Sequence, residues 1–202
     1  MAIKNLSASC PISSPEHLFG REKELERIHH ALAMKGRQIF IYGDRGVGKT
    51  SLARTAAYRY QSSEAEPIVT SCNQESTFES VLQDILSKLR YGTPYEVKRV
   101  KKEKEVQIEE RLIPTVKDAN TAALLLRYEA PRHSRKPIVV IDEFDLIGCR
   151  QERGKFADFL KQLGDQEVPV KFIVCGMANS LHDLLDAHAS AYRYLDGIKM
   201  DK

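Results

Sequence analysis

Apolar residues recur along this chain with two periods, helical and unbroken, and their alternation predicts its layout. Leu25, Ile28 and Leu32 stand at helical spacing among charges between about Arg21 and Met34, and Gly36 is placed to stop that helix. From Arg37 to Tyr42 the residues Ile39, Phe40, Ile41 and Tyr42 form a short apolar run, the pattern of a strand buried on both faces. Leu52, Ala53, Ala56, Ala57 and Tyr60 then share one face of a second helix, and a strand is expected at Pro67 to Cys72. Ser76 and Glu79 have capping-box spacing ahead of Phe78, Val81, Leu82, Ile85, Leu86 and Leu89, an amphipathic helix closed by Gly92 and Pro94.

Asp118 is suited to cap a helix running through Tyr128, after which Pro131 and Pro137 bracket a turn before the strand Ile138 to Ile141. Phe156, Phe159, Leu160 and Leu163 predict a further helix ended by Gly164, and Val168 to Cys175 a further strand. Ser180 is placed to cap a helix with Leu181, Leu184 and Leu185 on one face, and Gly197 to Met200 is expected to begin a last strand. Strands alternating with helices call for an α/β fold, a mostly parallel sheet covered on both faces. Residues 1–20, with Pro11, Pro15 and several serines, read as an irregular N-terminal segment, and residues 21–202 as one domain. Within it, residues 93–117 carry Val97, Val100, Val106 and Ile108 separated by charges, the pattern of an exposed hairpin or loop insertion.

Charge changes this picture little. Thirty-one basic against 28 acidic residues leave a formal net charge of +3, too weak a field to indicate nucleic acid or a membrane surface. In the insertion, Lys98, Arg99, Lys101, Lys102 and Lys104 are nearly cancelled by Glu96, Glu103, Glu105, Glu109 and Glu110. DNA therefore stays possible but is not indicated by charge. The longest apolar runs, Ile138 to Ile141 and Ala122 to Leu126, fall far short of the roughly 20 residues that span a bilayer. Cys10 lacks a preceding apolar stretch that would make it a lipoprotein site. Cys10, Cys72, Cys149 and Cys175 show no C-x-x-C spacing, so neither a disulfide framework nor a zinc site is expected. His29 and His30, adjacent on a helix, cannot face one metal together.

The chemistry is concentrated in two places. Gly43-Asp44-Arg45-Gly46-Val47-Gly48-Lys49-Thr50 fits G-x-x-x-x-G-K-[ST] and sits directly between an apolar strand and a helix that opens with Thr50 and Ser51. Glycines let successive N–H groups turn inward around phosphate oxygens, and the helix N-terminus adds partial positive charge. Lys49 can then reach the β and γ phosphates and the Thr50 hydroxyl can ligate Mg²⁺, while Asp44, Arg45 and Val47 fill positions the pattern leaves open. Ile138 to Ile141 ends in Asp142 and Glu143, at the carboxyl edge where the phosphate loop also lies. Asp142 suits the Mg²⁺ shell and Glu143 the activation of a water. A guanine-reading Asn-Lys-x-Asp is not found after a later strand, which argues against GTP. An adjacent Asp-Glu pair fits water activation better than transfer to a bound acceptor, which argues against a small-molecule kinase.

With these residues in view, the chain resembles the AAA+ ATPases, specifically the origin initiator and loader type and the related STAND-like bacterial ATPases. Leu18-Phe19-Gly20-Arg21-Glu22-Lys23-Glu24-Leu25 is similar to that family's N-terminal box, which implies that Phe19 and Gly20 lie near the adenine. Gly43 to Thr50 and Ile138 to Glu143 resemble its Walker A and Walker B. Ile173 to Asn179 is similar to the strand presenting the sensor 1 residue, so the resemblance gives Asn179 the γ-phosphate or the water; a simple helix-capping role is the alternative. Arg193 resembles the arginine that acts on a neighbour's nucleotide, with an ordinary surface arginine as the alternative. The resemblance implies a P-loop three-layer sandwich, ATP and Mg²⁺ as cofactors, and a cytoplasmic ATP hydrolase switching contacts with a protein partner or in a homo-oligomer. An origin-type DNA-binding module using ATP as a structural ligand is the other expectation. The family's helical lid bearing sensor 2 has no counterpart before Lys202, so a lidless domain is expected.

Overall fold

The computed structural model describes residues 20–61, 65–91, 114–134, 136–187 and 192–201. In chain order the elements are α1 (Glu22–Ala33), β1 (Gln38–Gly43), α2 (Lys49–Tyr60), β2 (Ile68–Ser71), α3 (Phe78–Tyr91), α4 (Ala119–His133), β3 (Ile138–Asp142), α5 (Arg150–Asp165), β4 (Lys171–Gly176), α6 (Ala178–Ala187) and β5 (Leu195–Met200), with a 3-10 turn at Phe144–Leu146. The five strands are ordered β2-β3-β4-β1-β5 and every pairing is parallel. The expected α/β architecture is therefore present.

Alternation along the central strands builds two cores, one per face. Ile39, Ile41, Ile138, Val140, Ile173 and Cys175 pack with α1 and α2 through Leu25, Ile28, Leu52, Ala53 and Ala56. Phe40, Val139, Ile141, Phe172 and Val174 pack on the other face with α3 to α6. Burial on both sides explains why the central strands are continuous apolar runs rather than alternating ones. The second core is locked by edge-to-face rings: Phe40 on Phe144, Phe144 on Phe156, Phe156 on Phe78, with centroids 5.0–5.9 Å apart.

Several expected boundaries are corrected. The capping box at α3 is Thr77 with Ser80, each side chain accepting from the other's N–H (2.9 and 3.1 Å), rather than Ser76 with Glu79. Asp118 does cap α4, its carboxylate accepting from Thr121 N–H at 2.8 Å, but the helix runs past Tyr128 to His133 with Pro131 in its last turn. Gly164 does not stop α5; it lies inside the helix because a side chain there would run into the Tyr194 ring, 2.2 Å from the position of a Cβ. The turn comes at Glu167, in the left-handed region at φ 49°. The fourth strand begins at Lys171 rather than Val168, since Val168 N–H bonds back to Leu163 as the helix unwinds. Ser180 is within α6, its hydroxyl donating to Met177 O at 2.8 Å, and is not the residue before it. Residues 93–113 of the charged insertion, the 1–19 segment and the Gly92–Pro94 stop lie outside the described residues; the end of the insertion is not exposed throughout, since Val116 is buried in the core with α3 and α4.

At the amino edge of the sheet, the Lys171 ammonium donates to Arg37 O at 2.9 Å and to Met34 O, tying the end of α1 to β4. Burial, aided by Lys136, pulls its pKa down to about 8. No helix among the described residues is long and apolar enough to cross a membrane.

Candidate functional site

The loop between β1 and α2 needs glycine at each of its three glycine positions. Gly43, Gly46 and Gly48 have φ of 157°, 83° and 92°, values that side-chain-bearing residues rarely adopt. At Gly43 space is also short, since a Cβ would lie 2.4 Å from the Met200 carbonyl oxygen of β5. Gly48 is the residue before α2, so Lys49, Thr50 and Ser51 form the first turn, where backbone N–H groups point outward toward an anion. The Lys49 ammonium donates to the loop's own carbonyls, Gly43 O at 2.9 Å and Asp44 O at 2.8 Å.

The acidic strand meets this loop across a gap. β3 is not the neighbour of β1; β4 lies between them, which opens a crevice at their carboxyl ends. The Thr50 hydroxyl crosses it and donates to Asp142 Oδ1 at 3.1 Å. Asp142 is buried, and the same oxygen accepts from Glu143 N–H at 3.0 Å. Glu143 is exposed and left-handed, at φ 55° and ψ 36°, an uncommon conformation for a residue with a side chain. Two thiols sit beneath. Burial holds the Cys175 thiol far above its usual range, 3.8 Å from Lys49 O. Cys72 is pushed up to about 12 by burial and then by Asp142, Glu143 and Asp145. Neither can serve as a nucleophile at neutral pH.

The structure thus brings together Gly43 to Ser51, Asp142 and Glu143. Asn179 lies exposed in the first turn of α6, accepting from Ser180 N–H at 2.9 Å, and borders a cavity of about 360 Å³ with Tyr42, Gly43, Asp44 and Lys199. Gly20 precedes α1 at φ 74°, donating to Glu22 at 3.3 Å, and Phe19 lies outside the described residues. Arg193 is not beside the loop. It precedes β5, whose Leu195 pairs with Gln38 at the start of β1, so a full strand length, roughly 17 Å, separates it from Gly43. His29 stacks on Tyr60 with centroids 4.6 Å apart.

Three side chains with no role legible in the sequence also shape the site. Arg21 donates to Asp201 O at 2.8 Å and, more weakly, to Val47 O at 3.5 Å, joining α1 to the loop and to the end of β5. Arg45 pairs with Asp145 at 3.6 Å. Arg153 donates to Ile147 O and pairs with Asp183 at 2.8 Å, fastening the acidic turn to α6. Arg21 stands inside the N-terminal box and Arg45 inside the phosphate loop, the signals available for them, whereas Arg153 lies in no motif.

A family model described as an ATPase domain predominantly from Archaea matches residues 18–199. The chain belongs to that family. It is an ATPase domain, an ATP hydrolase by class, and its fold is shared with solved Walker-type ATPase and Cdc6p structures. Among solved structures it is similar to the Walker-type ATPase PABY2304 of Pyrococcus abyssi, at 20% identity and TM-score 0.61, covering 95% of this chain and 56% of that one. It is also similar to Cdc6p of Pyrobaculum aerophilum, at 17% identity and TM-score 0.61, covering 98% and 49%. The ORC1 protein of Aeropyrum pernix, solved in complex with DNA, matches at 19% identity and TM-score 0.55, covering 93% and 46%. The chain spans about half the length of these proteins. No curated protein matches it in sequence.

Proposed function

We propose that this domain holds Mg²⁺-ATP at Gly43 to Thr50, hydrolyses it, and uses the change of nucleotide as a cytoplasmic switch acting on a partner protein or on sibling subunits. The observation that carries this reading is the 3.1 Å contact between Thr50 and Asp142, which joins the phosphate loop to the acidic strand across one intervening strand. A hydroxyl and a carboxylate that close are the hard oxygen donors suited to Mg²⁺, whose remaining ligands would be phosphates and water. No group of three or more His, Cys, Asp or Glu forms a cage among the described residues, and a P-loop magnesium needs none. Thr50 and Asp142 would hold it, and its charge would offset that of the β and γ phosphates.

The chain's own groups then divide the work. Loop N–H groups bind phosphate oxygens, and Lys49 exchanges its two carbonyl partners for the β and γ phosphates. Glu143, free at the strand end, takes the proton of the attacking water while Asn179 orients the water or the γ-phosphate. Phe19 and Gly20 lie near the adenine, and Arg193, far from its own loop, reaches a neighbour's nucleotide. Calorimetric titration of Mg²⁺-ATP into wild type and Lys49→Ala tests the core of this: the variant should lose at least about tenfold in affinity. Equal affinity in a folded variant refutes it.

The DNA complex of the Aeropyrum pernix ORC1 protein favours a second reading, a DNA-binding module with ATP as a structural ligand. Binding of duplex DNA that weakens steeply with salt would support it.

A further inference from the structure

Arg45 fills a position the phosphate-loop pattern leaves open, yet its guanidinium is paired across the site, with Nη2 3.6 Å from Asp145 Oδ2. Asp145 belongs to the 3-10 turn just after Asp142 and Glu143 and is 13% exposed, whereas Arg45 is 75% exposed. One partner is therefore held by the fold, and the other presents most of its surface to solvent. The loop follows β1 and the turn follows β3, with β4 between them, so the pair reaches across two inter-strand steps, roughly 10 Å. Thr50 and Asp142 cross the same gap from the first turn of α2 at 3.1 Å. The two ties bracket the crevice, and Glu143 lies between their acidic ends in the chain.

Stability does not account for this arrangement, because an ion pair so exposed contributes little to folding. Holding a long side chain in one place matters more for a ligand, since the ordering cost is met before binding. Resting on the phosphate-loop reading above, we infer that Arg45 is a γ-phosphate-sensing arginine supplied by the chain to its own nucleotide, with Asp145 as the positioning residue that holds it over the crevice. The guanidinium carries five N–H donors in a planar fork, so one edge stays on Asp145 while the other meets phosphate oxygens. Lys49 meets the β and γ phosphates from the side of Gly43 and Asp44, and Arg45 adds a second cation from the side of the acidic turn. Arg45 then distinguishes a nucleoside triphosphate from a diphosphate. ADP lacks the phosphate it meets.

The test titrates Mg²⁺-β,γ-imido-ATP and Mg²⁺-ADP into wild type, Arg45→Gln, Arg45→Lys, Asp145→Asn and the Arg45→Gln/Asp145→Asn pair, with thermal unfolding as a check of folding. Arg45→Gln should weaken the triphosphate analogue about tenfold and leave ADP within about twofold, the loss of a charge-assisted hydrogen bond. Asp145→Asn should move the same ratio in the same direction by a smaller factor, and the double variant should be no worse than Arg45→Gln. Arg45→Lys, a point charge without the fork, should fall between. Equal losses for both nucleotides overturn the assignment, as does an Asp145→Asn protein that binds the analogue as wild type or better. If the wild type binds neither nucleotide, the phosphate-loop reading itself fails; if it binds both and the ratio is unmoved in Arg45→Gln, only the Arg45 assignment fails.

Discussion

Replacing Gly43 with alanine separates steric from conformational demands on the loop. The added Cβ would stand 2.4 Å from the Met200 carbonyl oxygen, and Gly43 and Met200 are register partners in adjacent strands, so neither backbone can move without disturbing the ladder. The φ of 157° is also unfavourable for alanine. Local backbone strain costs about 1–3 kcal/mol, and forcing an extra methyl into a packed site costs about 1–3 kcal/mol. Their sum of roughly 2–6 kcal/mol converts, at about 2–4 °C per kcal/mol for a domain of this size, to a melting temperature lowered by about 4–24 °C. Gly46→Ala is the control. Its φ of 83° is equally left-handed, but nothing lies within 4 Å of the added atom, so only the backbone term of about 1–2 kcal/mol applies. Differential scanning calorimetry of the three proteins, with and without Mg²⁺-ATP, reads the difference, and in Gly43→Ala the gain from ATP should shrink because the loop is displaced. A Gly43→Ala protein melting within about 2 °C of wild type, or a Gly46→Ala protein falling as far, refutes the reasoning.

Glu143→Gln should retain ATP but slow turnover by about 10²-fold or more, and an unchanged rate in a phosphate-release assay removes Glu143 from the chemistry. If Arg193 serves a neighbour, specific activity rises with protein concentration, Arg193→Ala abolishes it without loss of ATP binding, and mixing Arg193→Ala with Glu143→Gln restores some turnover; concentration-independent activity unaffected by Arg193→Ala leaves it a surface residue. Lys171 gives a pH signature: its folded pKa of about 8 lies below the ordinary 10.5, so between these values the unfolded chain binds more protons and stability rises with pH. Chemical denaturation at pH 7.5 and 9.5 should show that rise reduced in Lys171→Met; an identical pH dependence in the two proteins counts against burial of the ammonium.

The sheet and the two halves of the site were legible because each depends on neighbours in sequence. A run such as Ile138 to Ile141 ending in Asp142 and Glu143 can be read locally, as can the glycine spacing from Gly43 to Gly48. Helix ends were less legible where a distant residue decides them. Gly164 looks like a stop, yet it serves as a seat for Tyr194, and Pro131 sits in a final helical turn, where only one internal bond is lost. Ser76 with Glu79 and Thr77 with Ser80 offer the same capping chemistry one residue apart, and period alone cannot choose. The ties made by Arg21, Arg45 and Arg153 join residues far apart in the chain or across the crevice, and an arginine in sequence does not disclose its partner. The position of Arg193 relative to the loop required the β5 register.

The acidic turn is fastened at both ends, to Thr50 through Asp142 and to α6 through Arg153, which holds both Ile147 O and Asp183. In mechanical terms it is a short beam with one support on the nucleotide side and one on an outer face, where Arg150 adds contacts to Asp183 and Asp186 at 3.2 and 3.5 Å. A load applied to that face, by a partner or by a second subunit, arrives at the segment containing Glu143 without passing through the sheet. The reverse holds as well: a displacement of Asp142 is delivered to the surface of α5 and α6, where it can be felt.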